Sequence, residues 1–233
     1  DCYYDYIYGR VSIENIDIEG IENDSFTGMF VSSYGSKIPK GNIFKASNCK
    51  IHNFNYKDYE GVALQAEVSE ETADKVVFEN ITMAGNNYGI IAKKNRLTKL
   101  PIIKNCIIAG NKKGFDFNDE IDTSSITYSC IYNDSWNGNT YGYGEGCIFT
   151  DPLFADSENG DFHLMSKAGR WYNSQWVVDD VSSTCIDAGN ENSDYSNEPA
   201  PNGGRVNMGY YGNTAEASKT EAGSTSIETS QQT

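Results

Sequence analysis

Histidine and proline are scarce in this chain, with 2 and 5 copies among 233 residues. So few histidines exclude most His-rich metal sites and proton relays. Basic residues are also few: 18 Lys and Arg stand against 33 Asp and Glu, a net charge of −15. That balance argues against nucleic acid, whose phosphates call for Lys and Arg. The sequence holds no apolar run of about 18 residues, which excludes a membrane-spanning helix. The six cysteines (2, 49, 106, 130, 147 and 185) contain no CxxC pair, so a zinc knuckle is not expected. Asp1 to Asp5 lack the basic and apolar regions of a leader peptide, and the chain reads as a mature form or a fragment.

What is abundant is Asn, with 24 copies, Gly with 22 and Tyr with 16. Only 38% of residues are apolar. Together these suggest many tight turns between short strands. The length gives one sizeable core.

The chain repeats itself. Phe78 to Gly89 aligns without a gap on Ile103 to Gly114, and Thr127 to Gly138 follows as a third copy. Looser copies run from Ile13 to Gly28 and from Lys45 to Gly61. An Asn-type column reads 15, 48, 80, 105 and 129, and a Gly column reads 28, 61, 89, 114 and 138. Around these columns apolar residues alternate with period 2: Ile16/Ile18, Cys49/Ile51, Ile81/Met83, Cys106/Ile108 and Cys130/Tyr132, then Met29/Val31, Val62/Leu64, Ile90/Ala92 and Phe115/Phe117. Such alternation places one face inside and one in water. A unit of about 25 residues cannot bury its own apolar face, so copies must stack. Helical spacing is absent. The expected fold is all-β: a parallel β-helix, or solenoid, with an irregular C-terminal cap and a disordered tail.

Apolar parity changes across the Asn column, so the chain bends there. Asn tolerates the left-handed backbone of such a corner, and stacked amides can bond coil to coil. Cys49, Cys106 and Cys130 fall in the inward column and read as small buried hydrophobes, with a Cys106–Cys130 disulfide as the alternative. Cys2, Cys147 and Cys185 show no evident pairing. His52 and His163 lack a partner pattern and read as structural.

Three regions are expected: coils over residues 1–150, an end coil or cap over 151–213, and a flexible Ser/Thr-rich tail over 214–233. Trp171, Trp176, Tyr210 and Tyr211 can cover the solenoid's open end. Tyr3, Tyr4, Tyr6 and Tyr8 can stack on sugars or pack on the first coil.

The stack resembles right-handed parallel β-helix proteins of the pectate-lyase-like superfamily. The resemblance rests on the repeated Asn and Gly pattern and on the terminal run Asp151 to Phe154, Asn159 to Leu164, Cys185 to Gly189 and Asn202 to Gly212. It implies a secreted bacterial protein, extracellular or at the cell surface, with a linker to a surface-anchoring or dockerin-like module. Asn111 to Asn118, followed by Asn137 to Tyr141, is most similar to the family 9 pectate lyases. That resemblance implies calcium-assisted β-elimination of a uronic-acid polymer, with a Lys as base. The family's Lys position is Ile91 here, and its calcium Asp position is Ala63.

The strand after each Gly is expected to line a groove, with Phe30/Ser32, Ala63/Gln65, Ile91/Lys93 and Asp116/Asn118 facing out. Lys93 is the candidate base, or a binder of sugar carboxylates, or simply a solvated Lys. Gln65, Asp116 and Asn118 are candidate substrate binders. Asp116, Asp119, Glu120 and Asp122 are candidate Ca²⁺ ligands, or an acidic turn. Two functions stay open: a carbohydrate-active enzyme, either a polysaccharide lyase or a hydrolase with paired carboxylates, and a non-catalytic glycan-binding or structural β-helix. The partner is polysaccharide, the cofactor is Ca²⁺ or none, and the protein is expected to be a monomer.

Overall fold

The computed structural model describes residues 11–20, 27–33, 44–55, 61–92, 99–117, 121–135 and 142–221. Its strands are β1 (Val11–Glu14), β2 (Asp17–Glu19), β3 (Thr27–Ser33), β4 (Phe44–His52), β5 (Val62–Val68), β6 (Val76–Ala84), β7 (Tyr88–Ala92), β8 (Ile102–Lys104), β9 (Ile107–Ala109), β10 (Lys113–Asp116), β11 (Ile126–Thr127) and β12 (Cys130–Tyr132). One sheet runs β1-β4-β6-β8-β11, with β2 on β4, β9 on β6 and β12 on β9. A second runs β3-β5-β7-β10. Every pairing in these two sheets is parallel and follows repeat order. Nearly all-β and built of parallel sheets, the chain is compatible with a β-helix.

The corners are where the Asn column places them. Asn15, Asn48, Asn80 and Asn105 have φ of 58°, 49°, 54° and 54°. At the last three the next residue points inward: Cys49, Ile81 and Cys106 are fully buried in one core with Ile51, Met83 and Ile108, whereas Ile16, after Asn15 on the edge strands, is exposed. In the fifth repeat the corner is Tyr128 (φ 45°), not Ser129. Ser129 instead uses its hydroxyl to accept the Cys106 N–H at 3.1 Å. Cys130 therefore pairs in register with Ile107, not Cys106, and leaves the inward column. All five described cysteines are free thiols. Burial pushes the Cys106 thiol up to about 12.

The strongest amide stack is a different one. Asn86 Nδ2 donates to Asn111 Oδ1 at 2.9 Å, and Asn111 Nδ2 to Asn133 Oδ1 at 2.7 Å. The same oxygens accept the N–H groups of Asn86 and Asn111. The corner pair Asn105–Asn80 is longer, at 3.4 Å.

The second sheet shifts one expected register. Thr27 pairs with Val62 and Val62 with Tyr88, so Ala63, not Gly61, shares the column of Gly28 and Gly89. Gly61 cannot serve there because it lies two residues too early.

Residues 154–221 do not sit over the open end. They run back along the flank of the stack, against side chains two and four residues past each corner. Lys50 Nζ donates to Gly160 O at 3.3 Å, and His52 packs edge-on to Phe162. Tyr210 N donates to Thr82 Oγ1 at 2.9 Å, and Asn190 N to Asn105 Oδ1 at 2.7 Å. Asn48 Nδ2 reaches both Tyr210 O and Gly212 O. Tyr210 is thus on the flank, and Trp171 and Trp176 pack against each other. The segment carries two antiparallel hairpins, β13 (Phe154–Asp156) with β14 (Asp161–Leu164), and β15 (Arg170–Tyr172) with β16 (Gln175–Val177). Residues 214–221, expected in a flexible tail, are packed instead. Ala217 is fully buried, Ser218 Oγ donates to Leu164 O at 2.6 Å, and Lys219 N donates to Gly169 O at 2.8 Å. Small side chains let this strip lie flat. Residues 222–233 lie outside the described residues.

Two measurements test this frame. Asn111→Ala removes a fully buried amide and strands Met83 O and the Asn86 backbone N–H. Chemical denaturation should show a loss of about 2–4 kcal/mol, since each stranded buried group costs about 1–3. Glu198 is buried; one oxygen takes the N–H groups of Asn207 and Asn213, and the other has no partner. Burial, against those two donors and aided by Asp187, pushes its carboxyl from 4.5 to about 7. The folded state thus holds this proton more tightly than the unfolded. The contribution is full below pH 4.5 and fades as pH rises through 7. Glu198→Gln should lack that decline, read as thermal midpoint against pH.

Candidate functional site

A cleft of ≈ 400 Å³ opens where the two hairpins of the returning segment meet Tyr211 and Glu216. A short 3₁₀ turn, Ser157–Asn159, delivers the chain into β14, with Gly160 left-handed (φ 78°) as its cap. The β15–β16 turn is two residues, Asn173 and Ser174, both at positive φ. That conformation matches the twist of a tight hairpin. It projects Trp171, Tyr172 and the turn itself onto the cleft. Tyr172 is 45% exposed.

His163 forms the floor. Its ring stacks on Tyr211, with centroids 3.6 Å apart and planes 18° from parallel. Asp161 Oδ1 lies 2.6 Å from Nδ1 and also accepts the His163 N–H. Held this way, the ring carries a proton on Nδ1 and turns Nε2 the other way. Nε2 is buried and has no hydrogen-bond partner; Glu216 Oε2 stands 3.7 Å off. Burial works against ionisation of Asp161. The hydrogen bonds and charge of His163, helped by Arg170, outweigh it and hold the carboxyl below its ordinary range. Burial also raises the Tyr211 phenol, as do Asp161 and Glu216. Arg170 is committed to the scaffold: Nε bonds both Asp179 oxygens at 3.0 Å. Two carboxylates, side-chain amides and aromatic faces can together hold a polyhydroxylated ring.

The residues expected from sequence lie elsewhere. Gln65 and Asp116 share the outward column Phe30–Gln65–Ile91–Asp116 of the second sheet. Phe30 is 55% exposed, but Ile91 is buried, so this column is not an open polar groove. Ala63, expected to face out, is buried in the core, because it takes the glycine column. Gln65 donates to Glu67 at 3.1 Å. Asp122 accepts the Ser124 N–H at 2.9 Å and belongs to a bridge with Lys99. Its hydrogen bonds to Ser124 hold its carboxyl below the ordinary range. Lys93, Asn118, Asp119 and Glu120 lie outside the described residues. Among the described residues, no group of three or more His, Cys, Asp or Glu side chains is placed to hold a metal ion.

The cleft as a whole has no signature in the sequence because its parts lie in separate segments, at 159–163, 171–174, 211 and 216. One signal was present: Trp171 to Trp176 has the form of an aromatic hairpin with a two-residue Asn-Ser turn. Both histidines do have partners, His52 with Asp17 at 2.8 Å and His163 with Asp161.

A family model described as "Disaggregatase related" matches residues 60–189. No curated protein and no solved structure gives a significant match.

Because the Asp161 carboxyl is depressed, its stabilisation is present above about pH 4, the ordinary Asp value, and is lost as pH falls through the lowered one. Asp161→Asn should flatten that acid limb of the thermal midpoint. Imidazole NMR should show the His163 Nδ1 proton losing its shift to low field.

Proposed function

Because the chain belongs to the disaggregatase-related family, whose model covers more than half of it, we propose that it acts on or binds extracellular polysaccharide. In this reading the stack is a right-handed parallel β-helix of the pectate-lyase-like kind, and the protein works outside the cell or on its surface. The family description names an activity that takes aggregates apart. Aggregates held in polysaccharide loosen when the polymer is cut or captured.

The observation that carries the reading is the cleft beside His163, where Trp171, Tyr172 and Tyr211 meet amides and carboxylates. It is a shallow, open depression, suited to a glycan chain lying on the surface rather than to an enclosed small molecule. Aromatic faces stack on the C–H faces of sugars, and amides and carboxylates take their hydroxyls. Asp161, Glu216 and Asp179 outnumber the cations Arg170 and His163 that they share, so the cleft leans anionic. A neutral or N-acetylated sugar suits it better than a uronate. A uronic-acid polymer belongs instead with the outward column, where Lys93 would serve as base, Gln65, Asp116 and Asn118 would contact substrate, and Ca²⁺ on Asp116, Asp119, Glu120 and Asp122 would bridge the charges.

A glycan array followed by calorimetry tests the cleft. The full chain should bind a neutral or N-acetylated oligosaccharide. Tyr172→Ala, at an exposed position, should weaken it about tenfold or more with the fold intact. No binding to any glycan, or unchanged binding by the variant, defeats the cleft. Ultraviolet detection of unsaturated product on uronic-acid polymers with Ca²⁺ tests the lyase reading. Lys93→Ala should abolish any such turnover.

A further inference from the structure

The one-residue shift at Tyr128 has a chemical result. Cys130 takes the place that Ile107 holds in the preceding repeat, on the flank rather than in the interior. There it meets Cys185 of the returning segment. Both side chains are fully buried, and they share a small apolar cluster with Ile107, Ala109, Leu164 and Met208. Of all its neighbours, Cys185 acts most strongly on the Cys130 thiol. Their backbones are held from both sides. Cys130 Sγ also donates to Thr150 O at 3.2 Å, and the Thr150 hydroxyl is 2.8 Å from that of Thr184, next to Cys185. Cys185 N donates to Ser183 Oγ and its carbonyl accepts the Met208 N–H, both at 3.0 Å.

We propose that Cys130 and Cys185 are a disulfide site, which staples the returning segment to the fifth repeat. The bond joins positions 55 apart in the chain. It forms by exchange with an external disulfide, such as oxidised glutathione. One thiolate attacks that disulfide and displaces a thiol, and the second thiolate then displaces the other. The two protein thiols lose two protons and two electrons, and the oxidant leaves as two thiols. Neither neighbouring cysteine competes. Cys106 faces the interior and donates to Lys104 O, and Cys147 donates to Ile126 O at 3.3 Å. In the folded protein the Cys130 thiol is raised by its contact with Cys185 and by burial, so it is a poor nucleophile there. The exchange therefore runs while the segment is still undocked, and the bond is made during folding.

The test refolds the full chain in a glutathione redox buffer and maps its peptides without reduction. The expected product is a Cys130–Cys185 crosslink, two hydrogens lighter than the two peptides. The thermal midpoint should rise by about 10 °C over the reduced protein, as a long-loop disulfide gives in a chain of this size. Cys130→Ser and Cys185→Ser should each erase the rise, and Cys106→Ser should keep it. Adding oxidant to the folded, reduced protein should give the crosslink at least tenfold more slowly than refolding does. Two free thiols after oxidative refolding, or Cys130 joined to Cys106 or Cys147, would overturn the proposal. If the serine variants do not fold, the peptide map of the unaltered chain decides alone.

Discussion

The left-handed corner is the constraint on which the first sheet depends. At Asn15, Asn48, Asn80, Asn105 and Tyr128 the backbone enters a region that costs most residues about 1–2 kcal/mol. What it obtains is a change of face. Residues one and three past Asn48, Asn80 and Asn105 enter the core, while those two and four past them form the flank. Asn suits the turn because its short amide tolerates that conformation. It also remains free to bond outward, as Asn48 does to Tyr210 O and Gly212 O. Core, flank and the seat for the C-terminal segment thus follow from one backbone angle repeated at intervals.

Much of this was legible in the sequence. The Asn column and the period-2 apolar pairs locate four of the five corners and the inward cysteines Cys49 and Cys106. Structure and pattern part where a side chain other than the expected one meets the same need. Tyr128 turns the corner and Ser129 accepts a backbone N–H, so an alignment by residue type slips by one. Ala63 occupies a glycine column because a methyl group fits there. The path of residues 154–221 was not legible at all. Its contacts join positions as distant as Asn48 and Gly212, and no local pattern encodes such a pairing. The cleft inherits the same opacity, since His163, Trp171 and Glu216 meet only after that path is taken.

The charge also reads differently once located. Part of the acidic excess is structural. Glu79 sits between Lys45 and Lys104 at 3.0 and 2.9 Å, tying three repeats together. Burial disfavours its ionisation, but the two lysines outweigh this and hold it below the ordinary range. Asp17 serves Lys50 and His52 in the same manner. The acids of the cleft differ in having little cationic partner to spare: Arg170 and His163 are shared among Asp161, Asp179 and Glu216.

A plain stack of repeats is a one-dimensional object. Each repeat touches only its neighbours, so an end can fray while the middle holds. The returning segment ends that independence. By grasping the second repeat at Lys50, the third at Thr82, the fourth at Asn105 and the fifth at Cys130, it works as a strap laid lengthwise across the pile. Loosening any one repeat pulls on the strap and so on all the others. A row of small, separately marginal units becomes one cooperative body.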